Sequence, residues 1–143
     1  LPSFTSSNRP DLQANGPIVP VLIAVSEAAE LSMREAGQPI PAPIQINALF
    51  DTGASGSAIK AGEIAPLGLQ PMGIRNINTP SSINVPCPEY AVRVILPNSI
   101  VLAVTVIETP LEGQNIEGLL GRDVIAQAVF IYIGYTGTFS FSI

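Results

Sequence analysis

Short apolar runs separated by glycine and proline recur along most of this chain, and they predict strands more often than helices. Ile18–Val25 reads as a strand that Pro20 pushes toward an edge or a bulge, because proline has no N–H for a ladder. Ser26 follows as the N-cap of a short helix, Glu27–Ala36, closed by Gly37, with Glu27, Glu30 and Glu35 as a solvated face. Pro39, Pro41 and Pro43 form an extended connector into a second strand, Ile44–Phe50. Ala58–Ala65 fits one or two helical turns ended by Pro66, and two extended runs, Ile74–Asn78 and Tyr90–Leu96, flank Thr79-Pro80-Ser81-Ser82. Ile100–Ile107 is strongly apolar and predicts a strand buried on both faces. Arg122–Ala128 predicts a helix with Asp123 near its start, where a carboxylate suits the dipole. Val129–Ile133 and Gly137–Ile143 predict two closing strands around Gly134-Tyr135-Thr136, with Phe139, Phe141 and Ile143 on one side. Residues 1–16 are polar and lack periodicity. The organisation expected is a flexible N-terminal arm over residues 1–17 and a single domain over 18–143.

Composition narrows the class. A chain of 143 residues with 47% apolar and 12% charged side chains builds one core-rich domain. Its 14 prolines and 12 glycines cut it into pieces suited to an all-β architecture. The net charge of −5 argues against a nucleic-acid partner, and no apolar stretch is long enough for a membrane-spanning helix. With no histidine, Ser-His-Asp and Cys-His catalysis and His-ligated metal sites are excluded. Cys87 is the only cysteine, so no internal disulfide forms; it reads as a small apolar or surface residue. Lys60, the only lysine, lies in no phosphate-loop pattern, and neither a metal nor an organic cofactor is implied. The chain shows no signal-peptide pattern. Together with the lack of disulfides this leans toward the cytoplasm, with the compartment and N-terminal processing left open. Any hydrolytic chemistry would have to come from carboxylates, and the only aspartates are Asp11, Asp51 and Asp123.

One aspartate stands out. Ile44, Ile46, Ala48, Leu49 and Phe50 lead straight into Asp51-Thr52-Gly53-Ala54-Ser55-Gly56-Ser57. A buried strand followed by small polar residues presents one acid at the end of a rigid element, in a loop that Gly53 and Gly56 allow to turn sharply. A purely structural turn could also use Asp-Gly, but would not need the apolar approach.

Asp51-Thr52-Gly53-Ala54-Ser55 resembles the active-site loop of aspartic peptidases, and Leu119-Leu120-Gly121-Arg122-Asp123 supplies the apolar-apolar-Gly half of that signature. The tripeptide alone carries little weight; both halves in order, at single-domain spacing, carry much more. Over residues 18–143 the chain is most similar to single-domain, retropepsin-like peptidases of bacterial type. The resemblance implies a closed acid-protease barrel with one or two short helices, and a homodimer in which each protomer contributes one Asp51 to cleavage of a peptide or protein substrate. By the same resemblance Thr52 would bond across the two-fold axis, and Gly53 would leave its amide free for Asp51 and substrate. Ala54 and Ser55 would line the cleft, and Thr79, Pro80, Ser81 and Ser82 would form the tip of a flap. Leu119, Leu120, Gly121, Arg122 and Asp123 would support the loop from behind.

Two departures from the family pattern matter. Ser55 stands where retroviral enzymes often carry an aspartate partner for the arginine, which leaves a backbone carbonyl or a glutamate to receive Arg122. Ala54 stands where pepsin-like enzymes place a hydroxyl donor to the catalytic carboxylate; its loss implies a mildly acidic optimum. Asp123 is set aside as an in-chain partner for Asp51, because Arg122 beside it offers a neutralising charge. The C-terminal strand has two readings, interleaving with a partner chain or completing the protomer's own sheet. Rival functions are a catalytically silent binding or dimerisation module and a latent precursor that needs activation.

Overall fold

The structure, a computed structural model, describes residues 2–79 and 81–143. It opens with β1 (Ser3–Ser6) and a single helical turn, α1 (Leu12–Asn15), before β2 (Ile18–Val25), α2 (Glu27–Glu35) and β3 (Ile44–Phe50). β4 (Ala58–Lys60) and a 3-10 turn at Ala65–Leu67 precede the hairpin of β5 (Gly73–Ile77) and β6 (Val85–Leu96). β7 (Ile100–Thr109), β8 (Gly118–Leu120), α3 (Arg122–Ile125), β9 (Val129–Ile133) and β10 (Thr138–Ser142) complete the chain. No helix among the described residues is long and apolar enough to cross a membrane.

Six strands close on themselves in the order β2-β3-β8-β4-β7-β6, with β6 returning to β2, and β5 extends the wall from β6. The all-β barrel expected from the sequence is therefore present, with three short helices rather than one or two. Pro20 fits because β2 pairs β3 over Ile18–Ile23 but meets β6 only from Leu22 onward, so a missing N–H there breaks no ladder. Side chains from alternate positions fill the barrel, among them Val21, Ile23, Ile46, Ala48, Val92, Val94, Val104 and Val106.

Several segments differ from the sequence expectation. Residues 58–60 are a strand, not a helical turn, because they slot between β7 and β8 and complete the wall. β7 alternates, with Ile100, Leu102, Val104 and Val106 inside and Val101 and Ala103 outside, so it is buried on one face until Ile107, which is buried on the other. β6 begins earlier than its apolar pattern suggested. Pro86 and Pro88 face only β5 in the part of the strand that precedes its pairing with β7. That extension buries Cys87 with Ala58 and Ile107.

The N-terminal residues were expected as an arm separate from the domain; instead they are packed into it. β1 pairs antiparallel with β10, which in turn pairs with β9, giving a second, three-stranded sheet. Phe4 and Leu12 are buried, and the Ile143 amide donates to the Pro2 carbonyl at 3.0 Å. The reason is local: Ser3-Phe4-Thr5-Ser6 alternates, and its one large apolar side chain meets Phe50, Phe139 and Phe141. The C-terminal strand likewise completes its own protomer's sheet, because both of its edges are already paired within the chain.

Helix α2 sits on the outside. The Ser26 side chain accepts from the Ala29 amide at 3.1 Å, as an N-cap should. Glu30 is not part of a free solvated face: it accepts from Arg34 at 2.9 Å and from Arg93 of β6 at 2.8 Å. Those hydrogen bonds, Arg34's first, hold the Glu30 carboxyl below the ordinary glutamate range. A carboxyl lowered on folding adds stability above its ordinary value and loses it as pH falls through the lowered one.

Two outcomes follow from this packing. Phe4→Ala empties a buried ring position and should cost roughly 3–5 kcal/mol by chemical denaturation, whereas a detached arm would leave the midpoint unchanged. Glu30→Gln should lower the melting temperature slightly at neutral pH, and the gap to wild type should close as the pH is brought down to about 3.

Candidate active site

Asp51 is the first residue after β3, and two separate devices fix it. The first lies beneath it. Phe50 points inward at the strand end and packs against Phe130 at 4.9 Å between ring centroids, Phe141 at 5.4 Å, Phe139 at 6.2 Å and Phe4 at 6.3 Å. These are all five phenylalanines of the chain, so its whole stock of this residue anchors the position before Asp51. Such ring pairs add about 0.5–1.5 kcal/mol each beyond the area they bury. With Phe50 held down, strand alternation turns the next side chain the other way.

The second device lies beside it. β8 runs parallel to β3 with Phe50 opposite Leu120, and the Asp51 amide continues the ladder by donating to the Leu120 carbonyl at 2.9 Å. The Arg122 amide then donates to the Ala54 carbonyl at 2.8 Å, and Arg122 Nη1 donates to the Thr52 carbonyl at 2.8 Å. Arg122 thus takes a backbone carbonyl, the first of the two partners left open by Ser55. The Asp123 carboxylate accepts from the Ser57 amide at 3.0 Å, the Ser57 hydroxyl at 2.7 Å and the Val124 amide at 2.9 Å. The Gly121 amide closes the network by donating to Ser57 Oγ at 3.1 Å.

Gly121 is a matter of space rather than backbone freedom. A Cβ there would stand 2.5 Å from the Gly56 carbonyl oxygen and 2.9 Å from that of Ala54. The loops touch backbone to backbone.

On the open side Thr52, Gly53 and Ser55 are exposed, and Asp51 and Ala54 are half-buried. The Asp51 carboxylate accepts from the Gly53 amide at 2.8 Å. Asp123, engaged with Ser57, faces away from this role, and the two aspartates share no hydrogen bond. Thr79, Ser81 and Ser82 sit at the tip of the β5–β6 hairpin, where Thr79 and Ser82 exchange backbone hydrogen bonds of 2.8 and 3.4 Å. Pro80 lies outside the described residues. No hydrogen bond brings the tip to Asp51 among the described residues; the hairpin's contact with the loop comes through Arg75. Its Nη1 lies 3.0 Å from where a Gly56 Cβ would be, while its Nε donates to Glu89 at 3.1 Å.

Ser57 and Arg75 are the participants that sequence reasoning missed. Ser57 is the only buried polar side chain among the described residues, and nothing in the run Ser55-Gly56-Ser57 marks which serine turns inward. A surface depression of about 420 Å3 near Asn8, Arg9 and Tyr135 is not lined by the Asp51 loop and gathers no set of acids. No group of three or more His, Cys, Asp or Glu side chains that could hold a metal occurs among the described residues.

Comparison with known proteins turns on this architecture. No family model matches the sequence, and no curated protein does. Among solved structures, a retropepsin-like aspartic protease from Rickettsia conorii superposes with a TM-score of 0.57, over 98% of this chain and 89% of the other, at 15% identity. The chain has the retropepsin-like fold. Looser matches are the foamy viral protease–reverse transcriptase in complex with an RNA/DNA hybrid and the simian foamy virus protease. The first has a TM-score of 0.48 at 14% identity, over 78% of this chain and 12% of the other. The second has a TM-score of 0.45 at 12% identity, over 75% and 91%. Within the retropepsin-like fold the Asp51 loop and the Leu119–Asp123 segment meet at the barrel end, sixty-six to seventy positions apart in sequence but in direct hydrogen-bond contact.

Ser57 is the test of this network. Ser57→Ala removes the hydroxyl donor to Asp123 and the acceptor for the Gly121 amide inside a buried seam. It should cost about 1–3 kcal/mol in denaturant titration with the barrel's circular dichroism retained.

Proposed function

We propose that this protein is an aspartic endopeptidase, active as a homodimer that brings together two Asp51 carboxylates, one from each subunit. The observation that carries the reading is a lone acid at the end of a buried strand, its loop bonded at several points to the Leu120–Asp123 segment. Peptide hydrolysis by carboxylates needs two of them around one water, and this chain offers one such loop. Two like charges at that range do not both ionise, so the pair shares a proton. The ionised Asp51 takes a proton from the water as its oxygen attacks the scissile carbonyl, and the protonated Asp51 donates to the carbonyl oxygen. The tetrahedral diol then collapses: the C–N bond breaks, the amine nitrogen receives a proton, and the shared proton is restored to the pair.

Other residues take roles consistent with this. Thr52 and Gly53 are exposed beside Asp51 and positioned to meet the second loop and the substrate. Ala54 and Ser55 line the cleft. The β5–β6 hairpin, with Thr79, Ser81 and Ser82 at its tip and Pro80 assigned to it by sequence alone, acts as a flap, and its Arg75 lies on the face turned toward the Asp51 loop. Leu119, Leu120, Gly121, Arg122 and Asp123 hold the loop rather than touch the substrate.

The test is hydrolysis of a peptide library between pH 3 and 7, wild type beside Asp51→Asn. The wild type should cleave and be inhibited by a statine-type mimic, and Asp51→Asn should lose at least about 10²–10⁴-fold in rate. Because Ala54 supplies no hydroxyl to the ionised pair, the optimum should be mildly acidic. A rate still climbing at pH 3 would contradict the Ala54 argument, and equal cleavage by Asp51→Asn would remove the function.

A further inference from the structure

The β5–β6 hairpin has two faces of different chemistry. Arg75 and Ile77 of β5 stand opposite Cys87 and Val85 of β6, so these four side chains share one face. Ile77, Val85 and Cys87 pack on Ala58 of β4, Ile107 of β7 and Leu119 of β8, which makes theirs the inner face. Ile74 and Asn76 alternate with them and point outward, both exposed. The inner face is therefore apolar toward the tip, with a cation at its border.

That cation is held in place. Arg75 Nε donates to Glu89 at 3.1 Å, and 40% of the Arg75 side chain stays exposed. The bond uses one of the five N–H groups of the guanidinium and fixes its plane. Nη1 is carried to the Asp51 loop, 3.0 Å from where a Gly56 Cβ would be, and apart from chain neighbours no other atom among the described residues stands within 4 Å of that point. Gly56 is thus the seat of the guanidinium. Neither Nη1 nor Nη2 donates a hydrogen bond among the described residues. Arg122, the other arginine at this loop, differs, because its Nη1 is taken by the Thr52 carbonyl.

We propose that Arg75 is a specificity-determining residue that takes the carboxylate of an acidic side chain in the bound peptide. The inference rests on the peptidase reading, which lays an extended peptide between this face and the Asp51 loop. A guanidinium anchored at Nε presents its Nη edge, whose N–H groups match the two oxygens of a further carboxylate. A neutral amide side chain accepts one of these bonds but brings no charge, and charge-assisted bonds are roughly twice as strong. Glu89 aims the edge and leaves it open. In a homodimer the two-fold axis sets one Arg75 on each side of the scissile bond, so an acid is preferred at one position on either side.

Calorimetric titration of the intact chain at about pH 6, where a glutamate side chain is ionised, tests this. The probes are statine-type peptides capped at both ends, with Glu or Gln placed in turn at each position flanking the statine. Wild type should bind the Glu form at least about tenfold tighter than the Gln form at one position on each side. Arg75→Gln should bring that ratio to about one, and Arg75→Lys should keep part of it. Gly56→Ala, which pushes the guanidinium off its seat, should lower the ratio, while Arg34→Gln on the outer helix α2 should not. A wild type indifferent to Glu and Gln, a ratio that survives Arg75→Gln, or a tightening seen only when the C-terminus is left uncapped would each overturn the inference and leave the peptidase standing. A Glu preference that Arg75→Gln abolishes, in a protein that hydrolyses no peptide, upholds this site and removes the peptidase; failure to bind any of the mimics removes both.

Discussion

A carboxylate is useful as an acid or base only if the backbone carrying it has nowhere else to go. Here that constraint is met at the seam between the Asp51 loop and the Leu120–Asp123 segment. The seam works because Gly121 has no Cβ, which lets the Ala54 and Gly56 carbonyls come within contact of its backbone. That closeness gives Asp51, Thr52, Ala54 and Ser57 their partners from the far segment. The Asp123 carboxylate, accepting three hydrogen bonds, replaces water for a stretch of backbone that would otherwise be orphaned at the barrel end. A loop rich in small residues would be loose by itself; this one is made rigid by a neighbour from elsewhere in the chain.

The same end of the barrel draws in the chain's extremities. The phenylalanine cluster takes Phe50 from β3, Phe4 from the first strand, Phe130 from β9 and Phe139 and Phe141 from the last. The three-stranded sheet is thus a floor under Asp51 rather than an appendage. Its inner face is aromatic because it must fill the end of the barrel, and its outer face is serine and threonine on β1 and β10, with Val129 and Ile131 exposed on β9.

Much of this was legible beforehand, and for identifiable reasons. The barrel followed from short β-rich runs with turn residues between them, and the contact of the Asp51 loop with the Leu119–Asp123 segment was suggested by two motif halves in that order. What was not legible depended on pairing. Ser3-Phe4-Thr5-Ser6 carries a single large apolar side chain, too little periodicity to separate a strand from an arm until its partner β10 is known. Ala58–Ala65 suits a helical turn locally, and only the gap between β7 and β8 makes its first residues a strand. The Tyr90–Leu96 run gave no sign that the strand begins at Val85; Pro86 and Pro88 are accommodated there because β5 is the one neighbour of that part. Ser57 could not be told from Ser55, because burial in a loop follows no period. Glu30 looked solvated on its own helix; its partner Arg93 comes from β6.

The terminal-strand sheet and the acid loop are coupled through one strand. The inner face of β9 holds the ring that packs on Phe50, and α3 leads into that strand directly from Arg122 and Asp123. A shift in this sheet would be felt at Phe130 and, one ring further, at the residue preceding Asp51. Close-packed interiors transmit such shifts rather than absorb them. The position of Asp51 therefore depends on both motif segments and on the sheet beneath them, so a change in any of the three moves the carboxylate.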